Sequence, residues 1–227
     1  MSSERLQPAA APHLPAPLPE LATVLRGRHI MLTGATGFLG KVVLGILLKW
    51  HPEIGRLYLL IRGDRRSSQG RLRREVLDSP ALAPLREQMG AAFERYVEEK
   101  LTVLGGDLTE RALVGADCVQ LLPARLDAVI NCAGLVNFEA SLERALAINA
   151  LGVANVIEFC RRRQAALLHV STCYVAGRAD GHRFEDALPV NWCPAGQPGF
   201  SVKRELAAAL AAIAHVEDVP VKGAGVF

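Results

Sequence analysis

Three glycines, each three residues from the next, constrain this chain more than any other feature. Gly34, Gly37 and Gly40 close the apolar run Ile30-Met-Leu-Thr33 and open the helix-compatible segment 41–50. A chain that turns from a buried strand into a helix within so few residues, while letting an anion approach its backbone, needs positions without a Cβ. The free N–H groups and positive dipole end of the following helix then face phosphate oxygens. A glycine-rich turn is a weak signal alone, but the strand before it and the helix after it make a dinucleotide site the leading reading. The spacing Gly-x-x-Gly-x-x-Gly also differs from the tighter Gly-x-Gly-x-x-Gly of many two-domain dehydrogenases.

The rest of the chain alternates in the same way. The near-continuous apolar run 55–62 reads as a strand buried on both faces of a parallel sheet. Further strands are expected over 101–105, 126–131 and 165–171. Helices are expected over 19–26, 71–77, 85–99, 141–162 and 201–216. Five strand–helix alternations predict an α/β, doubly wound Rossmann-type parallel sheet in the order 3-2-1-4-5. Residues 1–18, rich in Ala and Pro, read as a flexible leader. Residues 19–178 form the nucleotide-binding domain, and 179–227 a loop and helix in which a complete substrate region is missing.

Composition narrows the partners. A formal net charge of +3 gives no case for nucleic acid, and the basic clusters Arg65-Arg66, Arg71, Arg73-Arg74 and Arg161-Arg162-Arg163 read as solvated helix ends. Five cysteines without a Cys-x-x-Cys pair suggest neither a disulfide framework nor zinc, and six scattered histidines lack ligand spacing, so no metal is expected. No apolar run approaches the roughly 20 residues that cross a bilayer, which predicts a cytoplasmic protein with at most peripheral membrane contact.

In such a sheet, ligands bind outside the carboxyl ends of the strands, so each strand end can be read for chemistry. The second strand ends in Arg62, where an acidic residue would suit the ribose hydroxyl of NAD and a cation suits the extra phosphate of NADP. A plain surface cation is the alternative, and Asp64 just beyond reads as solvated. Asp107, after the third strand, is placed either to accept from an adenine amino group or to cap a turn. The small residues of Asn131-Cys-Ala-Gly134 would admit a nicotinamide ribose, or simply turn the chain. Ser171-Thr-Cys-Tyr174 brings hydroxyls to the end of the fifth strand, with Tyr174 better read as packing that turn than as a proton donor. Trp192 and Cys193, in the proline-rich loop, fit turn packing better than a lid.

Thr33-Gly-Ala-Thr-Gly-Phe-Leu-Gly40, Leu59-Leu-Ile-Arg-Gly63, Gly106-Asp-Leu108, Asn131-Cys-Ala-Gly134, Ile148-Asn-Ala-Leu-Gly152 and Val170-Ser-Thr-Cys-Tyr-Val175 occur in this order. Together they resemble the extended short-chain dehydrogenase/reductases, and among these the fatty acyl-CoA reductases, also called male-sterility or thioester-reductase-like proteins. A sugar-nucleotide epimerase-type relative fits the second and sixth stretches less well. The resemblance implies NADPH-dependent reduction of a long-chain acyl thioester, carried on coenzyme A or an acyl carrier, to an aldehyde or alcohol. It implies cofactor contacts from Thr33, Gly34, Thr36, Gly37, Phe38, Leu39 and Gly40, from Arg62, and from Asp107 and Leu108. Asn131, Ala133 and Gly134 complete that set. It also implies a substrate-carbonyl hydrogen bond from Thr172, and makes Asn149 the residue that holds a helix and a proton-relay water.

The chain departs from the family pattern at the proton donor, a tyrosine four residues before a lysine, which belongs after the fifth strand. The only such pair is Tyr96 and Lys100, before the third strand, and Gly199 occupies the position four residues before Lys203. The expectation is that the chain ends before the catalytic pair. Two readings follow: an acyl-thioester reductase, or a module that holds NADPH without transferring hydride.

Overall fold

The computed structural model describes residues 20–137, 139–176 and 199–217. The leader and the loop carrying Trp192 and Cys193 lie outside the described residues. Five parallel strands form one sheet in the order β3-β2-β1-β4-β5, as the alternation predicts. They are β1 His29–Thr33, β2 Arg56–Arg62, β3 Leu101–Gly106, β4 Ala128–Asn131 and β5 Ala166–His169. Helix α1 is Leu21–Leu25, and α2, Phe38–Trp50, starts three residues earlier than the apolar pattern alone suggests, directly on Gly37.

Alternation along the strands divides the core in two. Ile30 and Leu32 of β1 join Leu57, Leu59 and Ile61 of β2 on the face covered by Leu44 and Leu48 of α2, Phe93 and Val97 of α5 (Phe93–Lys100) and the turn carrying Val76 and Leu77. Met31, Tyr58, Leu60 and Val129 face the other way, onto Val156 and Phe159 of α7 (Gly152–Arg163). Burial on both faces is why 57–61 of β2 is an unbroken apolar run.

Three expected helices differ: 85–99 is α4 (Ala83–Met89) and α5 divided by a 3-10 turn at Gly90–Ala92, and the other two contain π-helical stretches. After α3 (Arg65–Arg71) the backbone continues as a π-helical stretch, Leu72–Leu77, before α4. The segment expected as one helix over 141–162 is α6, Leu142–Leu146, a π-helical stretch Ala147–Leu151, then α7. Such wide turns leave side-chain periodicity almost intact, so the sequence pattern passes over them, yet they redirect the residues they contain.

Strand β5 is shorter and more exposed than its apolar sequence suggests, with Leu168 56% accessible. It is the edge strand, paired only with β4. Helix α8, Val202–Glu217, lies against α6. No described helix is long and apolar enough to cross a membrane.

Candidate active site

At the carboxyl edge of the sheet, where the strand order reverses between β1 and β4, lies a cleft of about 300 Å³. This is the crevice at which doubly wound sheets take their ligands. One wall is the turn between β1 and α2. Gly34 has φ +73°, and a Cβ on it would lie 2.6 Å from the Ala133 nitrogen and the Cys132 carbonyl carbon. A Cβ on Gly40 would strike the Gly34 carbonyl, so this glycine lets α2 sit against its own turn. Gly37 is different: its φ is negative, and a Cβ there would meet only the Gly34 carbonyl oxygen, at 3.3 Å. It is exposed, lines the cleft and precedes the first turn of α2. The turn thus brings Gly34, Thr36 and Gly37 to the cleft with little side-chain bulk, a shape that suits a pyrophosphate.

The opposite end of the cleft is formed by Leu60, Ile61, Gly106, Asp107 and Leu108 with two arginines, Arg62 and Arg71. Arg62, at the end of β2, is exposed, and its guanidinium has no hydrogen bond or ion pair among the described residues. Arg71, nine residues later, donates to the Arg62 carbonyl at 3.0 Å and is gripped by both oxygens of Glu75 at 2.7 and 2.9 Å. That bidentate bond to Glu75 raises the Arg71 pKa, and fixes a cation beside a free one. In sequence Arg71 reads as one member of a basic run; its return to the end of β2 depends on the length of α3. Asp64 is not merely solvated, because it caps α3 by accepting from the Ser67 backbone N–H at 2.7 Å, which holds its carboxyl below the usual range. One oxygen of Asp107 accepts from the Thr109 amide and hydroxyl, both at 2.9 Å, so the turn role is realised; the other carboxylate oxygen takes no part in those two bonds.

Cys132, Ala133, Gly134 and Leu135 form the β4 side, and Arg144 and Ile148 also line the cleft. Burial pushes the Cys132 thiol up from its ordinary range. Asn149, in the π-helical stretch, clamps this loop: its Oδ1 accepts from the Leu135 N–H at 2.7 Å and its Nδ2 donates to the Leu135 carbonyl at 2.9 Å. Thr172 lies exposed three residues beyond β5. Thr36, Gly34, Gly37, Arg62, Asp107, Leu108, Ala133 and Gly134 line the cleft as expected, whereas Phe38 and Leu39 project outward, 86% and 43% accessible.

Thr33 and Asn131 are fully buried and face each other rather than the cleft. The Thr33 hydroxyl accepts from the Ala133 N–H at 3.3 Å and donates to Asn131 Oδ1 at 2.5 Å. Asn131 Nδ2 therefore points at His169 Nδ1, 3.0 Å away, which accepts and leaves the ring proton on Nε2. The row ties β1, β4 and β5 together at the cleft floor. Replacing Asn131 by Leu should cost about 2 kcal/mol by stranding the Thr33 hydroxyl, while adding Thr33→Val should recover part of that loss. Urea unfolding of the two single variants and the double variant checks this, and strictly additive costs would contradict the network.

The expected rejection of Tyr96 and Lys100 as a catalytic pair holds. The Tyr96 hydroxyl donates to the Leu48 carbonyl at 2.7 Å, and Lys100 Nζ donates to the carbonyls of Pro52 and Ile54 at 2.6 and 2.7 Å. Lys100 immediately precedes β3, so both bonds sit towards the amino edge of the sheet, away from the cleft. Among the described residues no group of three or more His, Cys, Asp or Glu could hold a metal.

The profile of an NAD-binding family described as "Male sterility protein" matches residues 32–216. Among curated proteins, the chain is 34% identical over 163 residues to "Fatty acyl-CoA reductase 1" of Arabidopsis thaliana, covering 69% of this chain and 33% of that protein. It is 31% identical over 186 residues to "Alcohol-forming fatty acyl-CoA reductase" of Simmondsia chinensis, covering 80% and 38%. The chain thus spans little more than a third of these relatives. Among solved structures, the terminal R domain of the myxalamid PKS-NRPS pathway aligns with TM-score 0.56 and 25% identity over 85% of this chain and 47% of that one. The reductase domain of a non-ribosomal peptide synthetase from Mycobacterium tuberculosis aligns with TM-score 0.53 and 27% identity over 70% and 38%.

Proposed function

The chain belongs to the male sterility protein family, and from that premise we propose that its cleft holds NADPH in the service of reducing a fatty acyl thioester. The observation that carries the nucleotide choice is the unneutralised Arg62 at the end of β2, with Arg71 fixed beside it. Two guanidiniums suit a phosphate on the adenosine ribose, and among the described residues no carboxylate lines the cleft at the end of β2 where a ribose hydroxyl would need one. The substrate class is supported by the fatty acyl-CoA reductases among the relatives, and the reductase character by the R domain of the non-ribosomal peptide synthetase.

Residues of the chain divide the work. The backbone of the β1–α2 turn binds the pyrophosphate, and Arg62 and Arg71 take the ribose phosphate. The free oxygen of Asp107 accepts from the adenine amino group, against Leu108. Asn149, by fixing the Leu135 backbone, sets the wall along which the nicotinamide ribose lies. The bound cofactor supplies a hydride. Thr172 donates a hydrogen bond to the acyl carbonyl oxygen, the atom on which negative charge grows. Thr172→Ala is expected to lower turnover about tenfold, the value of one such bond, with little change in NADPH affinity.

Calorimetric titration with NADPH, followed by acyl-CoA-dependent oxidation of NADPH across a range of acyl chain lengths, tests the proposal. Oxidation that falls in the Thr172 variant is the expected result. The sequence after β5 has no tyrosine four residues before a lysine, which favours a second reading for these 227 residues alone: NADPH binding without hydride transfer. Binding with no oxidation at any chain length selects that reading, and failure to bind NADPH sinks both.

A further inference from the structure

We infer that Arg144 is a second-wall ligand for the pyrophosphate of the dinucleotide, closing on it from the side opposite the glycine turn. The inference rests on the dinucleotide reading of the cleft and adds a residue that no motif of the sequence singles out. Arg144 and Ile148, four residues apart and therefore on one side of the helical segment, both line the cleft. Glu143, one residue earlier, does not line it. Arg144 is exposed, and its guanidinium has no hydrogen bond or ion pair among the described residues; its backbone alone is engaged, the N–H by the Ser141 cap and the carbonyl by the Ala147 N–H. Among the described residues the sole carboxylate lining the cleft is that of Asp107, which follows β3. Arg144 thus brings to the cleft a cation that no described carboxylate pairs with.

Its position distinguishes which anion it serves. A dinucleotide laid across the carboxyl edge places its adenosine half over β2 and β3 and its pyrophosphate over the crevice between β1 and β4. Arg62 and Arg71 stand on the β2 side. Arg144, on the helix that follows β4 in the chain, lines the cleft together with Ala133, Gly134 and Leu135. The glycine turn offers N–H donors from one wall, and Arg144 offers a full positive charge from the other. The pyrophosphate is common to both nicotinamide dinucleotides, so the contribution of Arg144 should not depend on the ribose phosphate.

Binding of NADP⁺ and NAD⁺ to the wild-type chain, Arg144→Ala and Arg144→Lys, measured by calorimetry at low and moderate ionic strength, tests this. The expected result is a roughly tenfold rise in Kd for both nucleotides in the alanine variant, partial recovery in the lysine variant, and a weaker salt dependence once the charge is gone. Alanine is the better helix former, so a merely structural role for Arg144 predicts no loss of affinity. Unchanged affinities in Arg144→Ala overturn the inference and leave the dinucleotide reading standing, as does a loss confined to NADP⁺. A wild-type chain that binds neither nucleotide overturns both.

Discussion

Gly34→Ala is expected to lose dinucleotide binding and to unfold about 10 °C below the wild type. Two costs combine. An L-residue held in left-handed backbone such as φ +73° is penalised by about 1–2 kcal/mol. Its methyl group would also lie 2.6 Å from the Ala133 nitrogen and the Cys132 carbonyl carbon, and forcing a methyl into a packed site costs a further 1–3 kcal/mol or so. Neither neighbour can retreat freely: the Cys132 N–H bonds the Thr33 carbonyl at 3.3 Å, and the Ala133 N–H bonds the Thr33 hydroxyl. For a chain of this size each kcal/mol lowers the melting midpoint by roughly 2–4 °C. Gly37→Ala is the control. With only the Gly34 carbonyl oxygen at 3.3 Å from its Cβ and a permitted φ, it should melt within a few degrees of the wild type yet bind nucleotide weakly, since Gly37 lines the cleft. Thermal melts and NADP⁺ titrations of the two variants side by side separate the roles. Equal melting points for Gly34→Ala and wild type would contradict the close approach of the turn to β4.

Arg62→Ala is expected to weaken NADP⁺ binding by roughly 10- to 100-fold, the range for losing charge-assisted bonds to one phosphate, and to leave NAD⁺ binding almost unchanged. The residual preference belongs to Arg71, whose guanidinium is already held by Glu75 and the Arg62 carbonyl. The Arg62 carbonyl is backbone, so the alanine variant keeps that contact and isolates the free guanidinium. Paired titrations with the two nucleotides give the ratio directly. Equal losses for both would place Arg62 away from the ribose phosphate and remove the main support for NADPH.

The fold was almost wholly legible before any coordinates. Unbroken apolar runs such as 57–61 and the recurring strand–helix alternation leave few arrangements that bury both faces of a sheet, and the order β3-β2-β1-β4-β5 is one of them. Several cleft residues were equally visible, because the carboxyl ends of strands are fixed once the strands are: Gly34, Arg62, Asp107 and Gly134 all line it. Thr33 and Asn131 were visible as positions, while their commitment to each other and to His169 was not, since hydrogen bonds across neighbouring strands depend on register.

Local chemistry therefore determined where this protein turns, which residues are buried and which end of its sheet meets a ligand, because glycine geometry and hydrophobic periodicity act over a few residues. Partnership required the tertiary structure. Arg71 comes back to Arg62 only through the course of α3, and Arg144 of α6 meets in one cleft residues that follow β1, β2, β3 and β4. The π-helical stretch turns Asn149 onto Leu135, fourteen residues away in sequence. Which charges are neutralised and which stay available to a phosphate is set by such distant approaches, and no periodicity along the chain encodes them.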